Sequence, residues 1–341
     1  MLRGVVVGFG RMGLTHFSIL NNHPDVEFVG VCDTSSFMMK NVGHYLGVKT
    51  FTDYEKMIKE TLPDFAIIAT PTGMHTETIQ CCIQHEVHMF VEKPFSLGPY
   101  QGEAVVKGIN DASLVNQVGY VCRFNDVFMQ VKKLLQVKAL GELLIFKMEM
   151  NGPTLLKDAK SGWRSKKSQG GGCLYDFSSH SIDLINYLVG TPDEVIGTIL
   201  QRIHSLGVED AISSTFFYKH GLRGNLLCNW SDASYRKPTY HFEVLGRKGK
   251  IIADLHAYKV FFREDPGFAG FSRGWNHQYV TDFVEPVRFY VRGFEFTRQL
   301  DYFIDAIKHH RPASICTFED GYKTDVLINR IRLNGENGGL N

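Results

Sequence analysis

The sequence Gly8-Phe9-Gly10-Arg11-Met12-Gly13 constrains the fold of this chain more than any other stretch. It directly follows an apolar run, Leu2 to Val7, and precedes residues with helical spacing that continue to Leu20. In such a strand–turn–helix unit the first glycine permits a tight turn, the second lets the backbone approach a pyrophosphate, and the third lets helix and strand pack closely. A chance glycine-rich turn would give the same letters, but the flanking strand and helix predict a dinucleotide-binding site.

The second predicted strand, Val26 to Cys32, ends in Asp33. An acid at this position accepts hydrogen bonds from the adenosine ribose hydroxyls, and it repels a 2′-phosphate because like charges would lie side by side. Thr34 follows, and no Arg stands beside the acid, although Lys40 lies a little further on. The segment therefore predicts NAD as the cofactor and makes NADP the less favoured alternative.

Alternation of strands and helices continues from there. Buried strands are predicted at Phe65 to Ala69, Val87 to Val91 and Leu114 to Val118, with helices between them. Six strands with crossover helices by about residue 120 describe a doubly wound dinucleotide-binding (Rossmann) domain over residues 1–120.

The strand that ends at Val91 leads directly into Glu92-Lys93-Pro94. Pro94 cannot continue a ladder and biases Lys93 away from helix, so both charges lie at the end of the strand. In an open parallel sheet, ligands bind outside the carboxyl ends of the strands. A Lys ammonium in such a crevice is partly desolvated, which makes its pKa tunable and its proton useful in catalysis. A solvated Glu–Lys pair at a strand end is the structural alternative.

After Gly141 the pattern changes. Glu142 to Met150 is predicted to be a long strand, and Gly170-Gly171-Gly172 precedes a predicted helix from Leu174 to Val189. Beyond Pro192 the chain alternates like an antiparallel sheet, with turn signals between the strands. Residues 265–293 are expected to be irregular, and two helices, Glu295 to His309 and Glu319 to Arg332, are predicted near the end of the chain. The fold class is therefore α/β: a doubly wound parallel sheet over 1–120, then an α+β domain over 121–341 built on an open, mostly antiparallel sheet.

The helix after the triple glycine carries a polar stripe. Asp176, His180, Asp183 and Tyr187 follow one another at spacings of four, three and four. An Asp one turn before a His can hold the imidazole in one tautomer and stabilise its protonated form, which suits acid–base chemistry. An ordinary Asp–His contact on an exposed helix would have the same spacing.

Composition excludes several classes of protein. The chain has 37 Lys and Arg against 36 Asp and Glu, whereas a nucleic-acid-binding surface would show a basic excess. The seven cysteines are scattered without a CxxC, so neither a metal framework nor a disulfide set is predicted. The N-terminus enters a strand at once, and no 18-residue apolar run follows. A soluble, cytoplasmic protein without a membrane partner is expected.

The order of the motifs resembles that of the glucose–fructose oxidoreductase/inositol dehydrogenase/rhizopine-catabolism (Gfo/Idh/MocA) family. Besides the Gly8–Gly13 turn and Glu92-Lys93-Pro94, the motifs are Thr70-Pro71 with His75, Gly119-Tyr120 before Arg123-Phe124, and Trp163-Arg164 before the triple-glycine helix. The resemblance spans nearly the whole chain. It implies an N-terminal dinucleotide domain and a C-terminal domain whose sheet often forms the dimer interface, so a homodimer or homotetramer is expected.

The resemblance also implies roles for individual residues. The family's catalytic lysine falls on Lys93, and its Asp-x-Gly-x-His-x-x-Asp helix makes Asp176 and His180 the catalytic partners. Ser178 departs from the family's frequent glycine, which can alter how closely a substrate approaches. The residues expected to bind the cofactor are Gly8, Phe9, Gly10, Arg11, Met12, Gly13, Asp33, Thr34, Thr70, Pro71, His75, Glu92 and Lys93. The residues expected to contact the substrate are Lys93, Arg123, Trp163, Arg164, Asp176 and His180.

The implied activity is that of an NAD-dependent oxidoreductase. Hydride would pass between the nicotinamide and a secondary alcohol of a sugar, a sugar derivative such as a nucleotide sugar or sugar acid, or a cyclic polyol. Two alternatives on the same fold stay open: a non-catalytic regulator that senses a sugar or cofactor, and an enzyme that uses bound nicotinamide to hydrolyse glycosides.

A cationic loop bears on the charge of the substrate. Between the long strand and the triple glycine lie Lys157, Lys160, Arg164, Lys166 and Lys167, opposed in that span by Asp158. This local excess would attract an anionic substrate. A solvated loop that favours solubility is the alternative.

Overall fold

A computed structural model describes residues 1–157 and 162–338 and divides the chain into two units. The first unit is Met1–Val121 with Pro286–Asp325, and the second is Cys122–Glu285 with the residues from Val326 onward. The sequence-based division placed everything after residue 120 in the second domain, whereas residues 286–325 pack with the first unit. The assignment of a substrate-binding role to the second domain stays a prediction.

The first unit is built on a parallel sheet with helices in the crossovers. Its elements up to residue 121 are β1 (Leu2–Val7), α1 (Arg11–Leu20), β2 (Val26–Cys32), α2 (Ser36–Leu46), β3 (Thr50–Phe51), α3 (Tyr54–Thr61), β4 (Phe65–Ile68), α4 (His75–Gln84), β5 (His88–Val91), α5 (Pro99–Ala112) and β6 (Asn116–Val118). The strand order is β3-β2-β1-β4-β5-β6, and every pair is parallel. The expected doubly wound sheet of six strands is confirmed.

The register of this sheet aligns the carboxyl ends of its strands. Val7 pairs with Cys32 and Ile68, Ile68 pairs with Val91, and Val91 pairs with Val118. The residues that follow these strands therefore emerge along one edge of the sheet, where ligands bind in open α/β folds.

The second unit contains a larger sheet. Its elements up to residue 285 are α6 (Asp126–Gln136), β7 (Leu143–Asn151), α7 (Ser179–Val189), β8 (Glu194–Gln201), β9 (Ala211–Phe217), β10 (Arg223–Asn229), β11 (Thr239–Gly246), β12 (Gly249–Ala253), β13 (Ala257–Phe262), β14 (Gly274–Tyr279) and α8 (Val280–Phe283). The strand order is β14-β13-β12-β11-β7-β10-β9-β8, antiparallel except for the parallel pair β7–β10. The expected mostly antiparallel sheet is confirmed.

Side chains alternate across this second sheet. One face carries buried residues such as Phe146, Phe216 and Phe242, whereas Ile145 and Leu227 on the other face are exposed. Because alternate residues of a strand point to opposite faces, the sheet has one core face and one open face.

Two helices complete the described chain. Helix α9 (Phe294–Lys308) packs on the first sheet, where the Phe303 ring lies 5.9 Å from that of Phe65 and 6.0 Å from that of Phe90. Helix α10 (Phe318–Gly338) begins in the first unit, and its residues from Val326 onward belong to the second. Among the described residues, no helix is both long enough and apolar enough to span a membrane.

Two expectations about the elements after residue 121 were wrong. The segment expected to be irregular, 265–293, contains β14 and the short helix α8. Exposed side chains alternate with less exposed ones along β14. The less exposed positions are Gly274, Asn276 and Gln278, so the strand lacks the alternating apolar residues by which a half-buried strand is recognised in a sequence. In addition, the predicted helix from Leu174 begins as a π-helical turn, Cys173–Phe177, and becomes α-helical only at Ser179.

Candidate active site

The glycine-rich turn after β1 has the backbone geometry that the sequence predicts. Gly8 has a φ of +87°, and a Cβ there would lie 2.7 Å from the backbone of Ala69 and Thr70. A Cβ on Gly13 would meet the Gly8 carbonyl oxygen at 1.9 Å, so helix α1 can approach β1 this closely only with glycine. The position of a Cβ on Gly10, in contrast, has no atom within 4 Å. The turn is tight on its protein side and open at Gly10.

Asp33 follows β2 and stabilises the glycine-rich turn after β1. Its Oδ2 accepts the Phe9 N–H at 2.9 Å, and its Oδ1 accepts the Ser35 N–H at 3.0 Å. The carboxylate therefore has a fixed orientation beside the turn. Each oxygen keeps a further lone pair that can accept a ribose hydroxyl.

His75, at the start of α4, links the end of β4 to the segment that follows Lys93. Its Nδ1 lies 3.1 Å from the Pro94 carbonyl oxygen and 3.2 Å from that of Phe95, and its Nε2 lies 3.0 Å from the Thr70 carbonyl oxygen. Burial lowers the pKa of His75, although the carbonyl oxygens oppose this shift. Because its ring is 1 % exposed, His75 supports the turn from behind rather than presenting a polar atom to solvent.

Glu92 is buried directly before Lys93. The Nε2 of His16, a fully buried residue of α1, lies 2.6 Å from Glu92 Oε1, and Oε2 accepts the Lys93 N–H at 3.2 Å. A Cβ on Gly119 would come within 3.2 Å of the carboxylate. Glu92 therefore connects α1 with the ends of β5 and β6. The Lys93 side chain that follows it is half-buried. His16 and its contact with Glu92 were missed from the sequence because nothing in a local pattern pairs residues 76 positions apart.

In the second unit, the π-helical turn changes how the predicted catalytic residues are presented. Asp176 lies within the turn and His180 within α7, with the buried Ser178 between the two elements. π-helical turns inside helices occur frequently at functional sites. The predicted single polar stripe is broken further along the helix, because Asp183 is fully buried whereas Asp176 and His180 are half-buried.

Asp176 has a cationic partner that the sequence pattern did not indicate. The Nε of Arg164 donates to Asp176 Oδ2 at 2.8 Å, and the Arg164 guanidinium also stacks 4.7 Å from the ring centroid of Trp163. The Trp163-Arg164 motif is thus joined to the predicted catalytic segment. The contact is consistent with Arg164 holding the carboxylate in place.

The triple glycine allows this close packing. A Cβ on Gly171 would lie 2.4 Å from the Arg164 carbonyl oxygen, and one on Gly172, where φ is +104°, would lie 2.4 Å from Glu209 Oε1. Glu209 Oε1 accepts the Leu174 N–H at 2.8 Å, and burial raises the pKa of its carboxyl. Glu209 was missed from the sequence, because an acid between two predicted strands has no signature of its own.

Arg123 occupies a different environment from the one expected of a substrate contact. Its Nε and Nη2 donate to both oxygens of Asp183 at 2.9 and 2.8 Å, and both side chains are buried. The guanidinium also lies 5.2 Å from the centroid of the Tyr187 ring. This bidentate pair joins the turn before α6 to α7, so it supports a structural role. A contact between Arg123 and the substrate stays a prediction.

The cationic loop is partly neutralised. Arg164 pairs with Asp176, and Lys167 pairs with Glu336 of α10. Lys166 is exposed, and Lys160 and Asp158 lie outside the described residues.

The residues of the first unit fit a bound dinucleotide. Helix α1 has Gly10 as its N-cap residue and no side-chain cap, so its first N–H groups can bind a pyrophosphate where Gly10 leaves room. Thr70 Oγ1 is buried without a hydrogen-bond partner among the residues that the structure describes. The turn from Gly8 to Gly13 would hold the pyrophosphate, and Asp33 would hold the adenosine ribose.

Comparisons with known proteins agree with this fit. Residues 2–120 match the model of an oxidoreductase family with an NAD-binding Rossmann fold, and residues 128–252 match that of the GFO/IDH/MocA C-terminal domain. Myo-inositol 2-dehydrogenase of Thermotoga maritima is 24% identical over 93% of this chain and 91% of its own length. The 2,7-anhydro-N-acetylneuraminate hydratase of Escherichia coli is 25% identical over 75% of this chain and 68% of its own. A levoglucosan dehydrogenase in complex with NADH and levoglucosan superposes with a TM-score of 0.84 at 20% identity, covering 98% of this chain and 97% of that one.

The doubly wound sheet, its dinucleotide turn and the matching N-terminal domain define an NAD-dependent oxidoreductase. The chain belongs to the Gfo/Idh/MocA family. The individual roles of Lys93, Asp176 and His180 are not established by this membership.

Proposed function

We propose that this protein interconverts a secondary alcohol and a ketone on a sugar or cyclic polyol. The observation that supports this most is the register of the first sheet, since Gly8, Asp33 and Glu92-Lys93 all follow strands whose ends are aligned. An ammonium at the edge that carries the dinucleotide turn is suited to a substrate oxygen next to the cofactor. The dehydrogenases of myo-inositol and levoglucosan among the similar proteins support the same substrate class.

Three side chains would divide the proton chemistry in the direction of oxidation. His180 takes the hydroxyl proton, Asp176 orients the imidazole and stabilises its charge, and Lys93 donates a hydrogen bond to the developing alkoxide. NAD, when bound, supplies the hydride acceptor. The hydrogen bond from Arg164 keeps Asp176 oriented.

An uncharged sugar or polyol is the proposed substrate, in preference to a nucleotide sugar or sugar acid. Arg164 and Lys167 are the two described cations of the loop with acidic partners, and both charges are neutralised within the second unit. The local positive potential is therefore smaller than the sequence of the loop implies.

The test is a screen of neutral polyols, sugars, sugar acids and nucleotide sugars with NAD and with NADP. Nicotinamide absorbance reports turnover, and mass spectrometry identifies the products. We expect turnover of a neutral substrate with NAD and loss of two hydrogens from it. A best substrate with a phosphate or carboxylate, and a kcat/KM that falls steeply with salt, would return the cationic loop to a substrate-binding role. If NADH binds but none of these substrates is turned over, the proposed substrate class is wrong.

A second candidate is a cofactor-assisted hydratase or glycosidase, which the similarity to the anhydro-sugar hydratase favours. Such an enzyme would use the same acid–base groups but return the cofactor to its starting state. Mass spectrometry separates the two activities, because the second gives a product with one added water, or the hydrolysed sugar, without net formation of NADH.

The open face of the second sheet supports a homodimer. Exposed apolar side chains lie there on several strands, for example Ile145, Ile199, Leu227 and Trp275. Covering them would remove apolar surface from water. Sedimentation of the wild type and of Leu227→Glu tests this, with dissociation expected for the variant.

A cytoplasmic location is also proposed, and imaging of a tagged chain tests it.

A further inference from the structure

One face of helix α10 holds the segment that follows Lys93. The Phe95 ring, 1 % exposed, lies 4.8 Å from that of Phe318. One turn further along α10, a Cβ on Gly321 would come within 2.9 Å of the Phe95 Cβ. Asp325, another turn on, reaches Ser96. Positions 318, 321 and 325 therefore form one contact face, as spacings of three and four require.

The contact between Asp325 and Ser96 contains more acceptors than protons if the carboxyl is ionised. Asp325 Oδ2 lies 2.8 Å from the Ser96 nitrogen and 2.8 Å from Ser96 Oγ, and Ser96 Oγ lies 2.8 Å from the Gly98 carbonyl oxygen. The single hydroxyl hydrogen of Ser96 can be donated to the carbonyl or to the carboxylate, but not to both. If the carboxyl is protonated, it can donate its hydrogen to Ser96 Oγ while the Ser96 hydroxyl donates to the Gly98 carbonyl oxygen. Both contacts of Ser96 Oγ are then hydrogen bonds.

The surroundings of Asp325 also favour the neutral acid. The residue is 2 % exposed, and its Oδ1 has no hydrogen-bond partner among the residues that the structure describes. Burial raises its pKa to about 8, against the opposing effect of the hydrogen bonds from Ser96.

Several ionisable groups lie on the elements around this contact. His75 on α4 holds the Pro94 and Phe95 carbonyl oxygens, Glu92 and Lys93 precede the segment, and Tyr322 on α10 feels the charge of Glu103 on α5. The pKa of Asp325 is set by burial and Ser96 rather than by these charges.

We propose that Asp325 is a positioning residue for Lys93. Its protonated carboxyl fixes Ser96, Ser96 fixes Gly98 at the start of α5, and His75 fixes the carbonyl groups on the other side, so the backbone from Pro94 to Gly98 has one conformation. Loss of the proton to hydroxide leaves a buried carboxylate that attracts the Ser96 hydroxyl away from Gly98. The backbone from Pro94 to Gly98 then has more than one conformation, and the Lys93 ammonium is no longer held in one position relative to the substrate. This inference rests on the proposed role of Lys93.

The pH dependence of stability has a definite sign. The folded protein keeps a proton that the unfolded chain releases near the ordinary pKa of 3.8. The contribution of Asp325 to stability is therefore fully present below about pH 4 and is lost as the pH rises towards 8. An amide at this position does not titrate. With its oxygen in place of Oδ2 it accepts the Ser96 N–H, and because it carries no charge it leaves the Ser96 hydroxyl to donate to the Gly98 carbonyl oxygen.

The experiment compares the wild type with Asp325→Asn and Asp325→Leu, with Glu319→Gln as the control on the exposed part of the same helix. In the protein without ligands, the melting temperature of Asp325→Asn relative to the wild type should rise from pH 5 to pH 8 and then level off. With the substrate from the screen, kcat of Asp325→Asn should equal that of the wild type at pH 7, and only the wild type should lose activity with a midpoint near pH 8. Asp325→Leu should lower kcat about ten- to hundredfold at every pH, with KM for NAD little changed.

Identical pH profiles of kcat for the wild type and Asp325→Asn would overturn the proposal, as would a constant difference in melting temperature. A pH-dependent difference in melting temperature without any effect on kcat would limit Asp325 to a structural role and also refute the proposal. The melting experiment needs no substrate, so it separates a failure of this inference from a failure of the proposed oxidoreductase reaction.

Discussion

The two stretches that carry the proposed chemistry reach their geometry by different routes. Glu92-Lys93 follows a parallel strand, and the register of the sheet puts it at the same edge as the dinucleotide turn, with the end of β4 between them. Asp176 lies instead in a π-helical turn that depends on close packing of glycine backbone against Arg164 and Glu209.

This difference concerns how each stretch tolerates change. A residue at the end of a central strand is held by many backbone hydrogen bonds, so a new side chain there alters chemistry more than structure. A residue in an irregular turn depends on a few specific contacts, so a neighbouring substitution can alter structure first. The predictions below test that contrast.

The largest effect is expected at Lys93. Lys93→Met should lower kcat by about 10²- to 10⁴-fold, because a positioned proton or hydrogen-bond donor contributes about that much. NADH affinity and the melting temperature should change little. Lys107→Met on the exposed side of α5 is the control. Steady-state kinetics and NADH fluorescence titration make the measurement, and a variant as active as the wild type at saturating substrate would remove Lys93 from the mechanism.

His180 and Asp176 should behave as one unit. His180→Ala is expected to lower kcat by about 10²- to 10³-fold, and adding Asp176→Ala should lower it little further, because Asp176 acts by orienting the imidazole. Kinetics of both single variants and the double variant measure the coupling. Strictly additive losses would contradict the orienting role, and an active His180→Ala would exclude the histidine as the base.

Sequence patterns could predict the first stretch almost completely. The strands, their order along the chain and the identity of Asp33 and Lys93 all follow from local periodicity together with the general rule for parallel sheets. The pattern around Asp176 gave the residues but not the turn, since a helical spacing of four cannot reveal a π-helical turn. Long-range partners such as His16, Glu209 and Asp325 have no local signal, because each acts through a contact that only the tertiary fold creates.

A substitution at Gly172 tests the dependence of the second stretch on its glycines. Gly172→Ala should lower the free energy of unfolding by about 1–3 kcal/mol, because the residue has a positive φ and its Cβ would meet the Glu209 carboxylate. Gly162→Ala is the matched control, since Gly162 has a φ of +105° but no atom within 4 Å of a Cβ. Chemical denaturation of both variants separates the clash from the backbone strain. Equal losses in the two would show that the contact with Glu209 has no cost.

The smallest effect is expected at Asp33, where a change should alter cofactor choice and leave the fold intact. The wild type should bind NADH more tightly than NADPH, because the carboxylate would lie beside the 2′-phosphate. Asp33→Asn keeps an oxygen that can accept an N–H from the turn and removes the charge. It should narrow the ratio of the two dissociation constants about tenfold, which corresponds to about 1.4 kcal/mol for one charge–charge contact near the surface. Its free energy of unfolding should fall by about 1 kcal/mol, because the amide can accept only one of the two N–H groups, of Phe9 and Ser35, that the carboxylate accepts. Fluorescence titration with both reduced cofactors makes the measurement. Lys40→Met is the companion variant: if the wild type prefers NADPH and this substitution reverses the preference, Lys40 neutralises the acid and the interpretation of Asp33 is wrong.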